Sequence, residues 1–286
     1  MQLSRRCLLG AIAISALASG TTGFAQESNK PNTGVAAEQV ASPSPGACPA
    51  AATSFADPMS IPHWNGWGVD SSQRRFQPAE MAQLAADDVP RLKLKWAFGF
   101  PGANFAFAQP TVVGGRVFVG SVGGKVYSLD ANTGCTYWEY DAGAPVRSAI
   151  TIGPDKGGWL AYFSDRRGNV HAVDVVRGEA LWTTHVEDHS AALLTGAPML
   201  AGTTLFVPIA SREEVTATDP KYPCCDFRGS IVALQTSTGK TLWKSYTIAE
   251  EPKARDGQRW RAVEGTLGRR GVVIPDLRPH EGHDLW

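Results

Sequence analysis

Hydrophobic and polar side chains alternate with a period of two in three short segments of the chain. The segments are residues 125–129, 169–173 and 230–234, with the sequences Lys-Val-Tyr-Ser-Leu, Asn-Val-His-Ala-Val and Ser-Ile-Val-Ala-Leu. Successive side chains of a strand point to opposite faces of its sheet, so each segment is predicted to be a β-strand. The same pattern follows each of them: an acidic or amide residue, three residues, Gly, three residues and Trp. These copies, at 130–138, 174–182 and 235–243, indicate a protein built from repeats.

The Asp-x-x-x-Gly part of each repeat is predicted to be a hairpin turn. Gly adopts the positive φ that such a turn needs, and the Asp side chain accepts hydrogen bonds from neighbouring backbone N–H groups. The Trp then lies on the next strand. Two further strands precede this pair in each repeat; in the first repeat they are predicted at 110–113 and 116–119, joined by Gly114-Gly115. Four strands per repeat favour an all-β fold, a β-propeller in which each repeat is one blade.

Four tryptophans recur at similar distances along the chain. They are Trp96, Trp138, Trp182 and Trp243, separated by 42, 44 and 61 residues, and the longest gap contains an insertion. A single blade cannot bury both of its faces, so a large aromatic residue at one fixed position is expected to pack against the next blade. We therefore predict that these side chains are structural and that none of them is catalytic.

Composition and charge exclude several classes of protein. Of the 286 residues, 43% are hydrophobic and 19% are charged, which is typical of a folded globular chain. Lys plus Arg and Asp plus Glu each total 27, so no overall field draws the chain to nucleic acid or to an anionic membrane. The sequence contains no Cys-x-x-Cys-His segment, so it does not bind a c-type haem of its own.

The amino-terminal region is predicted to direct export. Residues 1–25 have the charged start, apolar stretch and small-residue cleavage site of a signal peptide, and Arg5-Arg6 leaves the Sec and twin-arginine routes both open. Residues 26–56, rich in Ser, Pro, Ala and Asn, are predicted to be a disordered tether, and residues 57–252 a partial propeller. We expect a periplasmic or secreted protein without a membrane span.

The repeat resembles the tryptophan-docking motif of the quinoprotein dehydrogenases, which carry pyrroloquinoline quinone (PQQ) on the axis of an eight-bladed propeller. The opening segments 64–70 and 75–78, with 135–138 and 146–152, are similar to that family and within it to the polyvinyl alcohol dehydrogenases. The resemblance implies oxidation of polyvinyl alcohol or other secondary alcohols with PQQ and Ca²⁺, and electron transfer to a separate cytochrome c. An outer-membrane assembly lipoprotein carries similar blades without a cofactor, so a non-enzymatic scaffold for envelope proteins is the alternative.

The resemblance also implies a set of site residues. Thr195-Gly-Ala-Pro198, Ser211-Arg-Glu-Glu214 and Arg228-Gly229 are similar to one series of family motifs. In relatives the Thr and Ser hydroxyls, here Thr195 and Ser211, bond PQQ, and the Glu, here Glu214, ligates Ca²⁺. Carboxylate oxygen is the ligand that this hard cation prefers, and the bound ion polarises the quinone. Glu213 is the alternative ligand, and exposed loop carboxylates without a metal are the simpler interpretation.

Further cofactor contacts are implied at two arginines and a cysteine pair. Arg167 occupies the place where relatives set an Arg against the quinone, although Arg228 stands before a Gly in the same way, and both are candidates. Cys224-Cys225 resembles the vicinal disulfide that covers PQQ in alcohol-oxidising relatives; a structural or reduced pair is the alternative. Cys48 and Cys135 are candidates for a disulfide that pins the tether, but connectivity does not follow from sequence.

The repeat pattern stops after Trp243. Residues 253–286 are rich in Arg and lose the alternation, and a single-base shift of one back-translation of 271–278 restores a blade-opening sequence. We expect an aberrant tail produced by a frameshift, with further blades encoded downstream in another frame. The chain would then hold about half of a propeller, lack the catalytic base, and bind PQQ and Ca²⁺ weakly or not at all. A closed four-bladed propeller is the alternative and requires strands from the tail.

Overall fold

The three alternating segments are strands in the structure, a computed structural model that describes residues 46–49, 55, 57–219, 221–222 and 225–252. All of these belong to the second of the two compact units of the chain, residues 42–286. The predicted export signal, most of the predicted tether and the predicted tail lie outside the described residues. Within the described ranges, no helix is long and apolar enough to cross a membrane.

Three antiparallel sheets follow one another along the chain, each with its strands in sequential order. The first contains β1 (Thr111–Val113), β2 (Arg116–Gly120), β3 (Lys125–Asp130) and β4 (Thr136–Asp141). The second contains β5 (Thr151–Asp155), β6 (Gly158–Ser164), β7 (Asn169–Asp174) and β8 (Ala180–His185). The third contains β10 (Met199–Ala201), β11 (Thr204–Ser211), β12 (Ser230–Gln235) and β13 (Thr241–Tyr246), and β9 (Ala192–Leu193) pairs with the end of β11. The predicted all-β fold of four-stranded blades is confirmed.

Helical structure is confined to short segments outside the sheets. The described residues form α1 (Ala79–Ala82), a 3₁₀ helix (Ala86–Arg91) and α2 (Glu213–Thr216). The last of these lies in the long connection between β11 and β12, which is the insertion that widens the third spacing between tryptophans.

Period-two alternation divides the second sheet between two hydrophobic cores. On β6, Ala161 and Phe163 pack in the cluster shared with the first sheet, whereas Leu160 and Tyr162 pack in the cluster shared with the third. All four side chains are at most 5% exposed. Because both faces of this sheet are covered, its central strands are apolar on both sides, whereas β13, at an edge, carries exposed residues.

Three of the four recurring tryptophans, Trp96, Trp138 and Trp182, each lie on the next hairpin turn that carries the repeat glycine. The Trp138 indole Nε1 donates to the Val175 carbonyl at 2.9 Å, and its ring covers Gly178. Gly178 has a φ of +75°, and a Cβ there would lie 2.7 Å from the ring, so both conformation and space require glycine. Trp96 and Trp182 make the same contacts on the first and third turns. The prediction that tryptophans pack between blades is confirmed for these three, whereas Trp243 contacts Phe206 of its own sheet.

The acidic residue closes the turn on which the ring lies. Asp130 Oδ1 accepts the backbone N–H groups of Asn132 and Thr133 at 3.0 and 2.8 Å, as predicted for an Asp-x-x-x-Gly hairpin. In the third turn Gln235 takes this place, and its backbone carbonyl still accepts the N–H of Gly239 at 2.8 Å. The turn therefore keeps its shape when the carboxylate is replaced by an amide.

Amino-terminal segments fasten the first sheet from two sides. Cys48 and Cys135 form a disulfide, which confirms the predicted pair, and Ala47 bridges Thr136 alongside β4. Trp64 bridges Val112 of β1 on the other edge of the sheet. Both edges of the first sheet are thus paired with preceding chain, which protects them from association.

Truncation of a docked tryptophan should destabilise the fold far more than truncation of an undocked one. Trp138 is 8% exposed, and Trp138→Ala should lower the free energy of unfolding by about 3–5 kcal/mol. Trp243 is 40% exposed and contacts Phe206 of its own sheet, so Trp243→Ala should cost about 1 kcal/mol. Urea denaturation followed by circular dichroism measures both, and equal losses would contradict docking as the source of stability.

The edge strand β13 should cause self-association. Among the described residues it ends the third sheet, and Leu242 and Ile248 are 50% and 62% exposed in and just beyond it. Contiguous apolar surface on an open edge favours oligomers or aggregates. Light scattering after size exclusion should therefore show species larger than the monomer, and the double variant Leu242→Lys, Ile248→Lys should reduce them. A sharp monomer peak for the unaltered chain would favour a closed small propeller.

Candidate functional site

The candidate site residues lie at one end of the sheets, opposite the Asp-x-x-x-Gly turns. Antiparallel order places the connection between the second and third strands at this end, together with the connection to the next sheet. Arg167 lies in the connection between β6 and β7, and Ser211 to Arg228 span the connection between β11 and β12. Thr195 lies between β9 and β10. The topology alone therefore groups residues that are far apart in sequence.

The turn that carries Arg167 is held by a buried carboxylate. Asp165, fully buried, accepts the backbone N–H groups of Arg167 and Asn169 at 2.7 and 3.1 Å, and the Asn169 amide at 2.8 Å. Gly168, with a φ of +87°, completes the turn. Burial by itself raises the pKa of Asp165, but its hydrogen bonds from His171, Asn169 and the backbone outweigh burial and lower the pKa. The carboxylate is therefore ionised at neutral pH and fixes the backbone of Arg167.

A histidine connects this carboxylate to the first sheet. His171 Nε2 lies 3.1 Å from Asp165 Oδ2, and because the ionised carboxylate can only accept, Nε2 carries the proton. Its Nδ1 then accepts the hydroxyl of Tyr140 on β4 at 3.1 Å. The imidazole is stacked on Phe163 with ring centres 5.0 Å apart. This chain of contacts ties the Arg167 turn to the neighbouring blade.

A cleft of about 590 Å³ opens beside Arg167, where the β6–β7 turn meets the segment between β8 and β9. Its wall holds the guanidinium-bearing residues Arg166, Arg167 and Arg212, with apolar contacts from Ala192 and Leu193. Arg212 lies within the Ser-Arg-Glu-Glu motif and Arg166 within the Arg-Arg pair, yet sequence reasoning assigned neither to the site. Their proximity to motif residues was the only available signal.

The carboxylates in the cleft wall are already paired. Glu187 Oε2 accepts the Lys244 ammonium at 2.7 Å, and Asp188 Oδ1 lies 3.0 Å from His185 Nε2. Burial by itself raises the pKa of Glu187, but the bonds from Lys244 and the backbone outweigh it and the pKa is lowered. The arginines of the wall are therefore left without a carboxylate partner among the described residues.

The two neighbouring glutamates of α2 have opposite environments. Glu213 is 5% exposed and accepts the Tyr222 hydroxyl and the N–H groups of Asp226 and Phe227 at 2.9, 3.1 and 3.2 Å. Burial and the bond to Glu213 raise the pKa of Tyr222 to about 12, so the hydroxyl stays protonated and donates. Glu214 is exposed, and no partner is found for it among the described residues. Glu213 therefore fastens the two ends of the cysteine-bearing segment, and Glu214 is the carboxylate free to bind an ion.

Three potential metal ligands, His189, Glu213 and Asp226, have atoms within 4.8 Å of one another. His189 Nδ1 accepts the N–H of Ala191 at 3.1 Å, so the proton is on Nε2, which donates to Asp226 Oδ1 at 2.9 Å. A protonated Nε2 has no lone pair for a metal. This cluster is a closed hydrogen-bond network and does not fit a metal centre with histidine as a ligand.

The other predicted site residues are placed as follows. Ser211 Oγ accepts the N–H of Glu213 at 3.3 Å, and Thr195 is half-buried; neither lines the cleft. Arg228 donates to the Ala249 carbonyl at 2.8 Å and stacks on Tyr246 at 3.8 Å, so its guanidinium faces the edge of the third sheet. Cys225 is disulfide-bonded, and Cys224 lies outside the described residues. Of the predicted cofactor contacts that the structure describes, Arg167 alone lines the cleft.

Replacing each α2 glutamate should separate the two roles. Glu213→Gln replaces a carboxylate that accepts three hydrogen bonds with a neutral amide. The NH₂ group of that amide would face donors such as a backbone N–H, so the variant should lose about 2 kcal/mol of unfolding free energy. Glu214→Gln, its exposed neighbour, should change stability by less than about 0.5 kcal/mol. Chemical denaturation checks both values, and similar losses in the two variants would contradict the anchoring role of Glu213.

The sequence of the chain is similar to a family of repeat proteins and to two dehydrogenases. A sequence model of PQQ-type repeats, described as outer membrane protein assembly factor BamB, matches residues 67–274. Polyvinylalcohol dehydrogenase of a Pseudomonas species is 41% identical over 230 residues, which are 78% of this chain and 35% of the relative. The enzyme of the same name from Sphingopyxis strain 113P3 is 41% identical over 194 residues, 66% of this chain and 29% of the relative. The chain thus spans about a third of these curated relatives.

The solved structures agree on architecture. Quinohemoprotein alcohol dehydrogenase ADH-IIG from Pseudomonas putida superimposes with a TM-score of 0.56 at 24% identity, over 68% of this chain and 28% of that one. At this identity the likeness shows the fold alone. The three sheets are therefore consecutive blades of a β-propeller.

Proposed function

Because the chain belongs to the PQQ-repeat β-propeller family, we propose that residues 57–252 form blades of an exported, alcohol-oxidising quinoprotein. The observation that carries the proposal is the arginine-lined cleft, which contains Arg167 at the place where the family motif predicts a cofactor contact. The 41% identity to polyvinylalcohol dehydrogenases supports polyvinyl alcohol or another secondary alcohol as the substrate.

The described residues fit the organic cofactor in part. PQQ is a planar quinone with three carboxylates, and a guanidinium fork matches a carboxylate in two parallel hydrogen bonds. Arg167 would hold one such group, since Asp165 fixes its backbone and the side chain lines the cleft. When bound, the quinone supplies an acceptor for the hydride of the alcohol. The task of this part of the chain is to bind and orient the cofactor.

The described residues supply only part of a coordination sphere for Ca²⁺. Ca²⁺ takes six to eight oxygen ligands, whereas Glu214 is the free carboxylate of the predicted motif and both oxygens of Glu213 are engaged. The remaining ligands would have to come from residues outside the described part of the chain or from the cofactor. The proposal therefore includes weak binding of Ca²⁺ by this chain alone.

Two features support the proposed compartment and electron acceptor. The disulfide between Cys48 and Cys135 is of a kind that persists outside the cytoplasm. A relative of this chain is named 1-butanol dehydrogenase (cytochrome c), and this chain has no haem-attachment motif. We therefore place the protein in the periplasm or outside the cell, with a separate cytochrome c as its acceptor.

A scaffold for outer-membrane assembly is the second candidate, because the family description names such a factor. A scaffold requires the docked tryptophans for its stability. It does not require arginines that line a cleft without a carboxylate partner. The two candidates therefore differ in what replacement of Arg167 should do.

A chimera tests the proposal. In the chimera, residues 57–252 replace the matching third of the Pseudomonas polyvinylalcohol dehydrogenase. A cooperative unfolding transition in urea would show that the chimera is folded. We expect the chimera, supplied with PQQ and Ca²⁺, to oxidise polyvinyl alcohol with an artificial electron acceptor. Arg167→Gln should lower this activity at least about tenfold, since it removes a charge-assisted hydrogen bond to the cofactor.

The matched control is Arg177→Gln in the same chimera. Arg177 pairs with Asp174 and Glu179 at the opposite end of the second sheet, so its loss should leave activity unchanged. A folded chimera without PQQ-dependent activity would contradict the enzymatic function and favour the scaffold.

A further inference from the structure

The cleft presents more positive charge than the family motif accounts for. Arg166 and Arg212 line it together with Arg167, and both are exposed. The acidic residues of the wall, Glu187 and Asp188, are engaged by Lys244 and His185. No ion pair within the described residues engages these three guanidinium groups, and the donors of Arg167 other than the one bonded to the Gly143 carbonyl remain available to a ligand.

The backbones of these three arginines are fixed by hydrogen bonds, and the side chain of Arg167 also donates from Nη1 to the Gly143 carbonyl at 3.3 Å. The N–H of Arg166 donates to the Pro145 carbonyl at 2.9 Å, and the N–H of Arg212 donates to the Ala191 carbonyl at 2.9 Å. The Arg167 backbone is held by Asp165. Three positively charged side chains thus extend from fixed backbones around one concave space, and like charges repel one another.

A ligand with several negative charges would relieve this repulsion. The size of the cleft, about 590 Å³, is typical of sites for organic molecules rather than single inorganic ions. Ala192, Leu193 and Pro145 add apolar surface to the wall. Guanidinium forks beside apolar side chains suit a flat molecule that carries carboxylates.

We propose that Arg166 and Arg212 bind carboxylates of a planar polycarboxylate in this cleft and, with Arg167, determine which ligand is accepted. The identity of that ligand as PQQ rests on the proposed function, whereas binding of a polycarboxylate does not. Arg212 lies within the Ser-Arg-Glu-Glu motif and Arg166 precedes Arg167, but neither was among the cofactor contacts that the family motifs imply.

Binding to the full 286-residue chain tests this assignment. PQQ and benzene-1,3,5-tricarboxylate are titrated by equilibrium dialysis at low salt, with inorganic phosphate and the trimethyl ester of PQQ as comparison ligands. Arg166→Gln and Arg212→Gln should each weaken binding of the carboxylates about tenfold, as loss of a charge-assisted hydrogen bond implies. Arg177→Gln, already paired at the opposite end of the sheet, should leave it unchanged.

Stability supplies a readout that separates ligand binding from a structural role. If Arg212 serves a ligand, Arg212→Gln relieves repulsion and should leave the unliganded chain equally or more stable in urea. If Arg212 instead had a structural role, Arg212→Gln would lower the stability of the unliganded chain. The same variant should remove the stabilisation that added tricarboxylate confers on the unaltered chain.

The outcomes are distinguishable. Arg212-dependent binding of the tricarboxylate, with no binding of PQQ by this chain or by the folded chimera, would support the polycarboxylate site and contradict the quinoprotein function. PQQ binding that is insensitive to Arg166 and Arg212, or equal for PQQ and its trimethyl ester, would overturn the site while leaving the function standing. Failure of all carboxylates to bind, or tighter binding of phosphate than of tricarboxylate, would overturn the site as well.

Discussion

The contact between a fourth-strand tryptophan and the Asp-x-x-x-Gly turn of the next sheet sets the spacing of the array. The indole Nε1 of Trp138 is anchored on the Val175 carbonyl, and its ring fills the space that a side chain at Gly178 would occupy. One glycine thus serves two requirements, a positive φ and room for a ring. Because the contact recurs in register, adjacent sheets are held at one separation, and the loops at their opposite ends meet in a defined way.

The cleft depends on that separation. Its wall combines the β6–β7 turn of the second sheet with the β8–β9 segment and Arg212, which precedes α2. Buried hydrogen bonds hold the backbone on each side: Asp165 fixes the Arg167 turn, and the Ala191 carbonyl accepts the N–H of Arg212. A frame of this kind holds three positively charged side chains at one cleft, where an anionic ligand would offset their repulsion.

Glu213 and Glu214 show how position decides chemistry. They are consecutive on one short helix, where neighbouring side chains point in different directions. One carboxylate is buried against Tyr222, Asp226 and Phe227 and acts as an anchor; the other faces solvent and is available. Similarly, His189 lies in a cluster of residue types that commonly bind metals. The N–H of Ala191 donates to its Nδ1 and fixes the tautomer with the proton on Nε2, so this nitrogen has no lone pair for a metal.

The amino-acid sequence by itself determined the strands, the turns and the role of the tryptophans, because these follow from periodicity and from glycine conformation within a few residues. It also indicated Arg167 and proposed Cys48 with Cys135, the pair that the fold bonds across 87 residues. Only the tertiary structure decided which glutamate is engaged, that Arg228 turns away from the cleft, and that Arg166 and Arg212 enter it. These outcomes depend on partners such as Lys244 for Glu187, 57 residues apart, whose approach is set by packing between sheets and leaves no local trace in the sequence.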